Sequence, residues 1–164
     1  MSIARRLVLI LFVLVSCVGY DQTTKSFAQS HLPHAEARSY LGDTVRLQLA
    51  HNHGAFLSLG ASLPEFWRLA LFAVFVGTLL LGLLAFVLLV KRIPSYAVVA
   101  CTLLFAGGFS NLIDRLLYGG YVVDFINLGV GPLRTGIFNV ADIFISVGAI
   151  VLLVNGLHRT EHNF

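Results

Sequence analysis

Charged residues are scarce in this sequence. Asp, Glu, Lys and Arg together make up 12% of its 164 residues, whereas hydrophobic residues make up 57%. Ordinary soluble domains contain about 45–50% apolar residues, so the composition excludes a typical soluble fold and indicates a membrane protein. A basic run is also missing, because the Lys and Arg residues behind the net charge of +3 are scattered. This excludes a nucleic-acid partner and favours membrane lipid as the anionic counterpart.

Cysteine is nearly absent as well. Cys17 and Cys101 each lie inside an apolar run, where a cysteine is usually a small buried hydrophobic residue. Four of the six histidines fall within residues 22–63, but no cysteine or acid completes a tetrahedral ligand set at a familiar spacing. We therefore expect no metal site.

Apolar segments long enough to span a bilayer, at about 20 residues each, dominate the rest of the chain. We place the spans at about 3–21, 67–90, 95–115 and 137–157. In the second span, Ala73 and Gly77 form a small-xxx-small pair, which predicts the close approach of a neighbouring helix. The expected fold is an all-α membrane protein, a four-transmembrane-helix bundle in which residues 1–164 form a single domain.

Residues 22–63 are more polar and form the expected insert outside the membrane. Residues 45–49 alternate between apolar and polar side chains, which predicts a strand, and residues 51–54 supply turn formers. Residues 55–59 would return as a second strand. The insert is therefore expected to be a small β-hairpin or sheet.

Orientation follows from the density of basic residues. Five basic residues lie in very short segments on one side of the membrane: Arg5, Arg6, Lys91, Arg92 and Arg159. High density of Lys and Arg in short segments marks the cytoplasmic side. We expect both termini to be cytoplasmic, and the insert to be extracytoplasmic.

Acids cluster at the opposite side, at the ends of the apolar segments. Asp21 lies at the end of the first segment, Asp114 and Asp124 lie at and beyond the end of the third, and Asp142 lies just inside the fourth. An ionisable residue near membrane depth is expensive and therefore indicates a functional site. Two carboxylates held close together cannot both ionise easily, so one keeps a proton and the pair can activate water. Any one of these acids could instead belong to a buried polar network that holds the helices together.

Five short motifs containing these acids and nearby amides occur along the chain. They are DQTTK at 21–25, NHGA at 52–55, NLIDR at 111–115, VVDF at 122–125 and FNVAD at 138–142. In this order and at membrane ends, they resemble the motifs of the bacterial lipoprotein signal peptidases, also called signal peptidase II. Two positions depart from the family pattern. Phe56 comes one position early, and Ser110 stands where glycine commonly precedes the asparagine.

The resemblance implies an aspartic endopeptidase in the bacterial cytoplasmic (inner) membrane, with its active site at the extracytoplasmic face. It would remove the signal peptide of a diacylglyceryl-modified prolipoprotein by cutting just before the lipid-carrying cysteine. Asp124 and Asp142 would be the catalytic dyad. The residues that would line the substrate site are Asn52, Gly54, Asn111, Arg115 and Asn139, and those that would support its geometry and charge balance are Asp21, Lys25 and Asp114. The enzyme would act as a monomer and need neither a metal nor an organic cofactor.

Three other functions could use parts of the same sequence. A small proton-coupled transporter would need intramembrane acids, but it typically shows internal repeats, which we do not find. A presenilin-type protease would need a GxGD motif, which is absent. Residues 14–17, LVSC, match a lipobox, so the chain could also be a lipoprotein precursor processed at Cys17. Three further apolar segments after Cys17 argue against the soluble passenger that such a precursor normally carries.

Overall fold

A computed structural model describes residues 1–33, 36–53 and 64–161. These residues form helices and strands in the order α1 (Ile3–His31), β1 (Arg38–Tyr40), β2 (Val45–Asn52), α2 (Glu65–Leu89), α3 (Ser95–Leu117), β3 (Val122–Val130), β4 (Leu133–Arg134) and α4 (Val140–Glu161). The fold is therefore mostly helical, with a small antiparallel sheet of strand order β1-β2-β3-β4.

Within the described ranges, three helices are long and apolar enough to cross a membrane. They are Ile3–His31, Phe72–Leu89 and Ser95–Leu117, and the apolar part of α4, Val140–Gly156, is shorter. Large apolar side chains on α1 and α2 are exposed, such as Phe12 and Leu81. Such an apolar exterior suits lipid as the solvent.

Helix α1 extends beyond residue 21, where the first span was expected to end, and continues to His31. One face of the helix explains this continuation, because Cys17, Asp21, Lys25 and Ala28 are all buried. Their spacing of three or four residues aligns them along one side of a helix. The polar stretch after residue 20 is therefore helix with one face packed against the rest of the molecule, although its composition resembled the start of the insert.

The strand predicted from the alternation in residues 45–49 is confirmed as part of β2. The return strand expected at 55–59 lies outside the described residues. Strand β2 pairs instead with β1 and with β3, and β3 comes from the connection between α3 and α4. Residues 51 and 52, expected in a turn, are the last two residues of β2.

An apolar core fixes the sheet on the helices. It consists of Ala28 from α1, Leu49 from β2, Val123 and Phe125 from β3, and Val140 from α4. Outside the membrane, burying a Val, Leu or Phe side chain stabilises the fold by about 1.5–3 kcal/mol. Residues on both sides of Asp124 are therefore anchored in this core, which holds the intervening carboxylate in place.

Glycines set the close approach of α3 and α4. A Cβ atom on Gly107 would collide with the Ala141 carbonyl oxygen and lie 2.7 Å from Ile145 Cγ1, and one on Gly148 would lie 2.6 Å from the Ala100 carbonyl oxygen. At Gly77, by contrast, an added Cβ would meet no described atom within 4 Å. The close packing predicted at Gly77 is therefore wrong, and α3 and α4 make it instead.

At the other end of the bundle, the buried Arg6 joins α1 to the end of α2. Its Nη1 donates to the carbonyl oxygens of Val87 (3.1 Å) and Val90 (2.7 Å), and its Nη2 donates to that of Lys91 (3.1 Å). The last carbonyls of a helix have no partner within the helix and carry partial negative charge. The guanidinium satisfies these carbonyls without a carboxylate, so it ties the two helices together.

Candidate active site

Two carboxylates from different elements face a shared set of amides. Asp124 is the third residue of β3 and is 1% exposed, and Asp142 lies in the first turn of α4. Asp124 Oδ2 accepts from Asn52 Nδ2 at 2.8 Å, and its Oδ1 accepts from Asn139 Nδ2 at 2.6 Å. Both oxygens of this buried carboxyl group are thus occupied by amide donors from separate parts of the chain.

Asp142 is positioned by the start of its own helix. The backbone N–H of Asn139 donates to Asp142 Oδ2 at 3.1 Å, and the backbone N–H of Asp142 donates to Asn139 Oδ1 at 3.0 Å. This reciprocal pair is a capping box, with Asn139 as N-cap and Asp142 at the third helical position. The FNVAD motif therefore has a local reason for its spacing, because the cap fixes the direction of the Asp142 carboxylate.

Asn111 completes the connection between the two acids. Its Nδ2 donates to Asp142 Oδ1 at 2.9 Å, and its Oδ1 accepts from Asn139 Nδ2 at 3.1 Å. A continuous hydrogen-bonded path therefore runs from Asp124 through Asn139 and Asn111 to Asp142. Its members come from β3, α3 and the start of α4, which the sequence separates by up to 31 residues.

Behind this path lies a second, fully buried cluster around Lys25. The ammonium group lies 2.7 Å from Asp21 Oδ2 and 2.9 Å from Asp114 Oδ2, and it donates to Asn111 Oδ1 at 2.9 Å. Lys25 is 1% exposed and both acids are 0% exposed. One cation thus balances two carboxylates and contacts the amide that joins the candidate dyad.

Each acid of the Lys25 cluster also holds the backbone next to one member of the candidate dyad. Asp21 Oδ1 accepts from the N–H of Ala141 at 2.8 Å, immediately before Asp142. Asp114 Oδ2 accepts from the N–H of Val123 at 3.1 Å, immediately before Asp124. Asp21 thereby satisfies a free N–H in the first turn of α4, where a negative charge is favoured.

Sequence reasoning assigned no role to two further residues of this cluster. Gln22 Nε2 donates to Asp114 Oδ1 at 2.7 Å and to Ser110 Oγ at 3.0 Å, and Ser110 Oγ donates to Asp21 Oδ2 at 2.7 Å. The departure at Ser110 therefore adds a hydroxyl group that links the two acids. The signal in the sequence was the position of Gln22 between Asp21 and Lys25, with all three on one helix.

Two predicted site residues remain, Arg115 and Gly54. Arg115 Nη1 donates to the carbonyl oxygen of Asn111 at 3.4 Å, and its charge interacts with those of Asp124 and Asp142. Gly54, like Phe56, lies outside the described residues. Every other residue predicted for the site belongs to one of the two connected clusters.

Burial changes the acidity of Asp124. It raises the pKa of this carboxyl group from 3.8 to about 6, hydrogen bonding from Asn52 opposes the rise, and the nearby charge of Asp142 adds to it. A carboxyl pair that holds one proton near neutral pH can take a proton from water and give one to a departing amine. Among the described residues, no group of three His, Cys, Asp or Glu side chains is arranged to hold a metal ion.

Comparison with known proteins gives consistent results across most of the chain. A family model described as signal peptidase (SPase) II matches residues 13–158. The lipoprotein signal peptidase of Sinorhizobium fredii is 33% identical over 162 residues, which cover 96% of this chain and 91% of that protein. The lipoprotein signal peptidase of Streptococcus pneumoniae is 33% identical over 142 residues, covering 87% of this chain and 88% of that protein.

A solved structure described as a bacterial membrane enzyme, determined by the in meso method at 2.3 Å resolution, superposes with a TM-score of 0.79. It is 25% identical in sequence, and the match covers 98% of this chain and 92% of that one. The fold is thus shared over nearly the full length of this chain.

Proposed function

This chain belongs to the signal peptidase II family, and we propose that it removes signal peptides from diacylglyceryl-modified prolipoproteins with Asp124 and Asp142 as its catalytic dyad. It is a membrane aspartic peptidase. The observation that supports the dyad is the continuous path from Asp124 through Asn139 and Asn111 to Asp142. No other pair of carboxylates in the described residues is joined by amides alone.

The dyad acts as an acid and base pair. Burial and the charge of Asp142 both favour the neutral form of Asp124, so Asp124 is the proton donor of the pair. Asp142 accepts a proton from a water molecule, which attacks the scissile carbonyl carbon. Asp124 donates its proton to the carbonyl oxygen, which gives a tetrahedral intermediate with two hydroxyl groups. As the C–N bond breaks, the proton gained by Asp142 goes to the departing amine, and Asp124 takes a proton back from one of these hydroxyl groups.

Asp21, Lys25 and Asp114 do not take part in proton transfer in this mechanism. Lys25 neutralises charge on both acids, and each acid fixes backbone beside one member of the dyad. These three residues therefore position Asp124 and Asp142.

The side chains around the dyad would bind the substrate. Asn52 and Arg115 carry N–H donors next to Asp124, and Gly54 follows in the same motif. Such donors hold a peptide backbone in an extended form and replace hydrogen bonds to water at a membrane surface. The acyl chains of the substrate would lie along the apolar exteriors of the helices, where each buried CH₂ contributes about 0.8 kcal/mol.

We further propose that α4 is a fourth span. Its 22 residues reach about 33 Å at about 1.5 Å per residue, compared with a hydrocarbon core of about 30 Å. Both termini would then be cytoplasmic in the bacterial inner membrane, with the dyad at the extracytoplasmic face. A single copy of the chain carries all the dyad contacts described above, which supports a monomer.

The alternative functions are not favoured. Family membership does not support a transporter. Processing before Cys17 would remove the first half of α1, although Cys17 is buried among the other helices and Asp21 and Lys25 follow within two turns. Cleavage there would disrupt the helix that carries Asp21 and Lys25 of the Lys25 cluster.

The proposed reaction can be tested with purified components. The detergent-solubilised protein is incubated with a prolipoprotein that carries its diacylglyceryl group and with the same precursor lacking it. We expect the lipidated precursor to lose the mass of its signal peptide and the unmodified precursor to be cleaved far more slowly. Absence of cleavage, or a cut at a bond other than the one before the modified cysteine, would overturn the proposal, and equal rates on both precursors would exclude lipid recognition.

A further inference from the structure

Aromatic rings surround Tyr121 where β2 ends against the start of β3. The ring centroid of His51 lies 4.2 Å from that of Tyr121, with the planes 21° apart, and that of His53 lies 5.3 Å away. Tyr118 stacks on Tyr121 at 5.4 Å. We call these four residues the Tyr121 ring cluster. The His53 and Tyr118 separations lie within the range of about 4.5–7 Å that is typical of favourable aromatic pairs, and the His51 ring lies slightly closer.

Strand alternation places this cluster behind the candidate site. Successive side chains of a strand point to opposite faces of the sheet. In β2, His51 pairs with Val123, whereas Asn52 pairs with Val122 and Ala50 with Asp124. Asn52 therefore shares a face with Asp124, and His51 lies on the opposite face with the Tyr121 ring.

Asn52 needs support, because it is the last residue of its strand. Strand ends open more easily than strand centres, since fewer hydrogen bonds hold them. Yet the Asn52 amide must stay within reach of Asp124 Oδ2, which it contacts at 2.8 Å. The rings pack at the same strand end, and Tyr118 is itself anchored to α1 through a hydrogen bond from its hydroxyl to Gln29 Oε1 at 3.4 Å.

We propose that His51 and Tyr121 are positioning residues, whose stacked rings hold the end of β2 on β3 so that Asn52 donates to Asp124. This inference rests on the proposed function only in treating Asp124 as catalytic. The stack itself touches neither member of the dyad. Its effect passes through the backbone of β2 to the Asn52 amide.

Movement of the Asn52 side chain away from Asp124 would favour the protonated form of Asp124. The Asn52 hydrogen bond stabilises the ionised carboxylate, so its loss lets Asp124 stay protonated to higher pH. The charges that act on Asp124 from other elements are those of Asp142 on α4, Lys25 on α1 and Arg115 on α3. None of these is changed by substituting His51.

Four variants separate the stack from other effects. His51→Thr removes the ring but keeps a residue that favours strands. His51→Phe keeps a flat ring and removes any histidine charge. Asn52→Ala removes the donor itself. His31→Ala is the matched control, because His31 stacks on Phe27 at 4.0 Å on the exposed end of α1, away from the dyad.

The first readout is kcat/KM for the lipidated precursor, measured across pH. We expect His51→Thr to lower kcat/KM about two- to tenfold, the range that the loss of one aromatic pair corresponds to. Its alkaline limb should move to higher pH, in the same direction as that of Asn52→Ala. His51→Phe and His31→Ala should resemble the unmodified protein. The double variant His51→Thr/Asn52→Ala should be no worse than Asn52→Ala alone, because both changes act on one contact.

A second readout does not depend on turnover. The side-chain carboxyl ¹³C resonance of Asp124, assigned by its loss in Asp124→Asn, is titrated in each variant. An upward shift of its midpoint in His51→Thr, but not in His51→Phe, supports the positioning role even if no precursor is cleaved. If His51→Thr does not fold, Tyr121→Leu is measured in its place, because it removes the same stack from the residue that directly precedes β3.

Three results would overturn the inference. The midpoint and kcat/KM of a folded His51→Thr protein could equal those of the unmodified chain. The losses in the double variant could add, which would show that the ring acts independently of Asn52. Finally, His51→Phe could be as impaired as His51→Thr, which would assign the effect to histidine charge or hydrogen bonding and not to stacking.

Discussion

Asn139 is the residue that both candidate catalytic carboxylates contact. Its side-chain Nδ2 donates to Asp124, while its backbone N–H and its Oδ1 form the capping box with Asp142. The same side chain thus caps the start of α4 and bridges the dyad. Because a cap fixes the backbone around it, the distance between the two acids depends on the start of α4 and not on side-chain flexibility.

The first prediction concerns the pH dependence of cleavage. An acid and base pair requires one protonated carboxyl group, and the pKa of Asp124 is raised to about 6 mainly by burial. We therefore expect kcat/KM to fall as pH rises through about 6, since Asp124 then loses its proton. The measurement uses a precursor with no group near the cleavage site that titrates between pH 5 and 8. A kcat/KM that increases across this interval contradicts the assigned roles.

Lys25 gives the second prediction. Lys25→Met leaves Asp21 and Asp114 buried without their cation, which should reduce the free energy of unfolding by about 3–5 kcal/mol. Adding Asp21→Asn removes one uncompensated charge, so Lys25→Met/Asp21→Asn should be more stable than Lys25→Met. Thermal unfolding in detergent measures both. If the double variant is the less stable of the two, charge balance is not the role of Lys25.

The sequence placed four acids at one end of the spans but could not rank them from the residues alone. The ranking depends on contacts between positions far apart, such as Asp21 with Ala141, 120 residues away, and Asn111 with Asp142. No periodicity within one segment reports such pairs. The family motifs supplied the assignment that local reasoning could not.

At the scale of elements, the packing of α3 against α4 sets the position of the dyad. Gly107 lies one turn before Asn111, and it contacts the α4 backbone next to Asp142. Two helices can approach this closely only where a side chain is missing. The helix contact and the hydrogen bond from Asn111 to Asp142 are therefore parts of the same interface.

The third prediction uses this interface. Gly107→Ala places a methyl group against the Ala141 carbonyl oxygen and should separate the helices, lowering both thermal stability and kcat. Gly77→Ala is the matched control, because the added methyl group meets no described atom within 4 Å. Alanine favours helix over glycine by about 1 kcal/mol, so Gly77→Ala should be neutral or stabilising. Equal effects of the two variants would contradict the proposed interface.

Elements differ in how well the sequence predicted them. The alternation in residues 45–49 identified β2, because Leu47 and Leu49, two residues apart, both pack into the apolar core. The start of β3 has no such alternation, since Val122, Val123, Asp124 and Phe125 are all buried. A strand covered on both faces looks like any short apolar run. Its partner β2 lies about 70 residues earlier, so pairing gave no local signal.

The end of helix α1 was predicted wrongly, because buried polar residues were read as part of an extramembrane segment. Its last third contains charged and polar residues, which suggested an extramembrane segment from residue 22. Asp21 and Lys25 are nevertheless buried, because α3 and α4 provide their partners. Burial of polar residues cannot be predicted from one segment when its partners come from other segments.

At the scale of the whole molecule, the two ends of the bundle differ in chemistry. One end carries the sheet, the dyad and the Lys25 cluster. The other end carries Arg6, whose guanidinium binds carbonyl oxygens at and just after the end of α2. The basic residues Lys91 and Arg92 lie at this same end. This polarity is the basis of the proposed orientation, with the basic end in the cytoplasm.

The fourth prediction tests that orientation. Ser2→Cys and Glu36→Cys each introduce a thiol at an exposed position, one at each end of the bundle, while the native Cys17 and Cys101 are buried. In intact cells, a membrane-impermeant maleimide should label Glu36→Cys and not Ser2→Cys. After permeabilisation both should react. Labelling of Ser2→Cys alone in intact cells would invert the topology.

The central claim, that Asp124 and Asp142 are the catalytic dyad, is tested most directly by comparing single asparagine substitutions in one cleavage assay. Asn keeps the shape of Asp but cannot exchange a proton, so Asp124→Asn and Asp142→Asn should each bind the lipidated precursor and release no signal peptide. Asp21→Asn and Asp114→Asn should lower cleavage by a graded amount, as positioning residues do. A folded Asp124→Asn or Asp142→Asn protein that cleaves at a near-normal rate would contradict the claim.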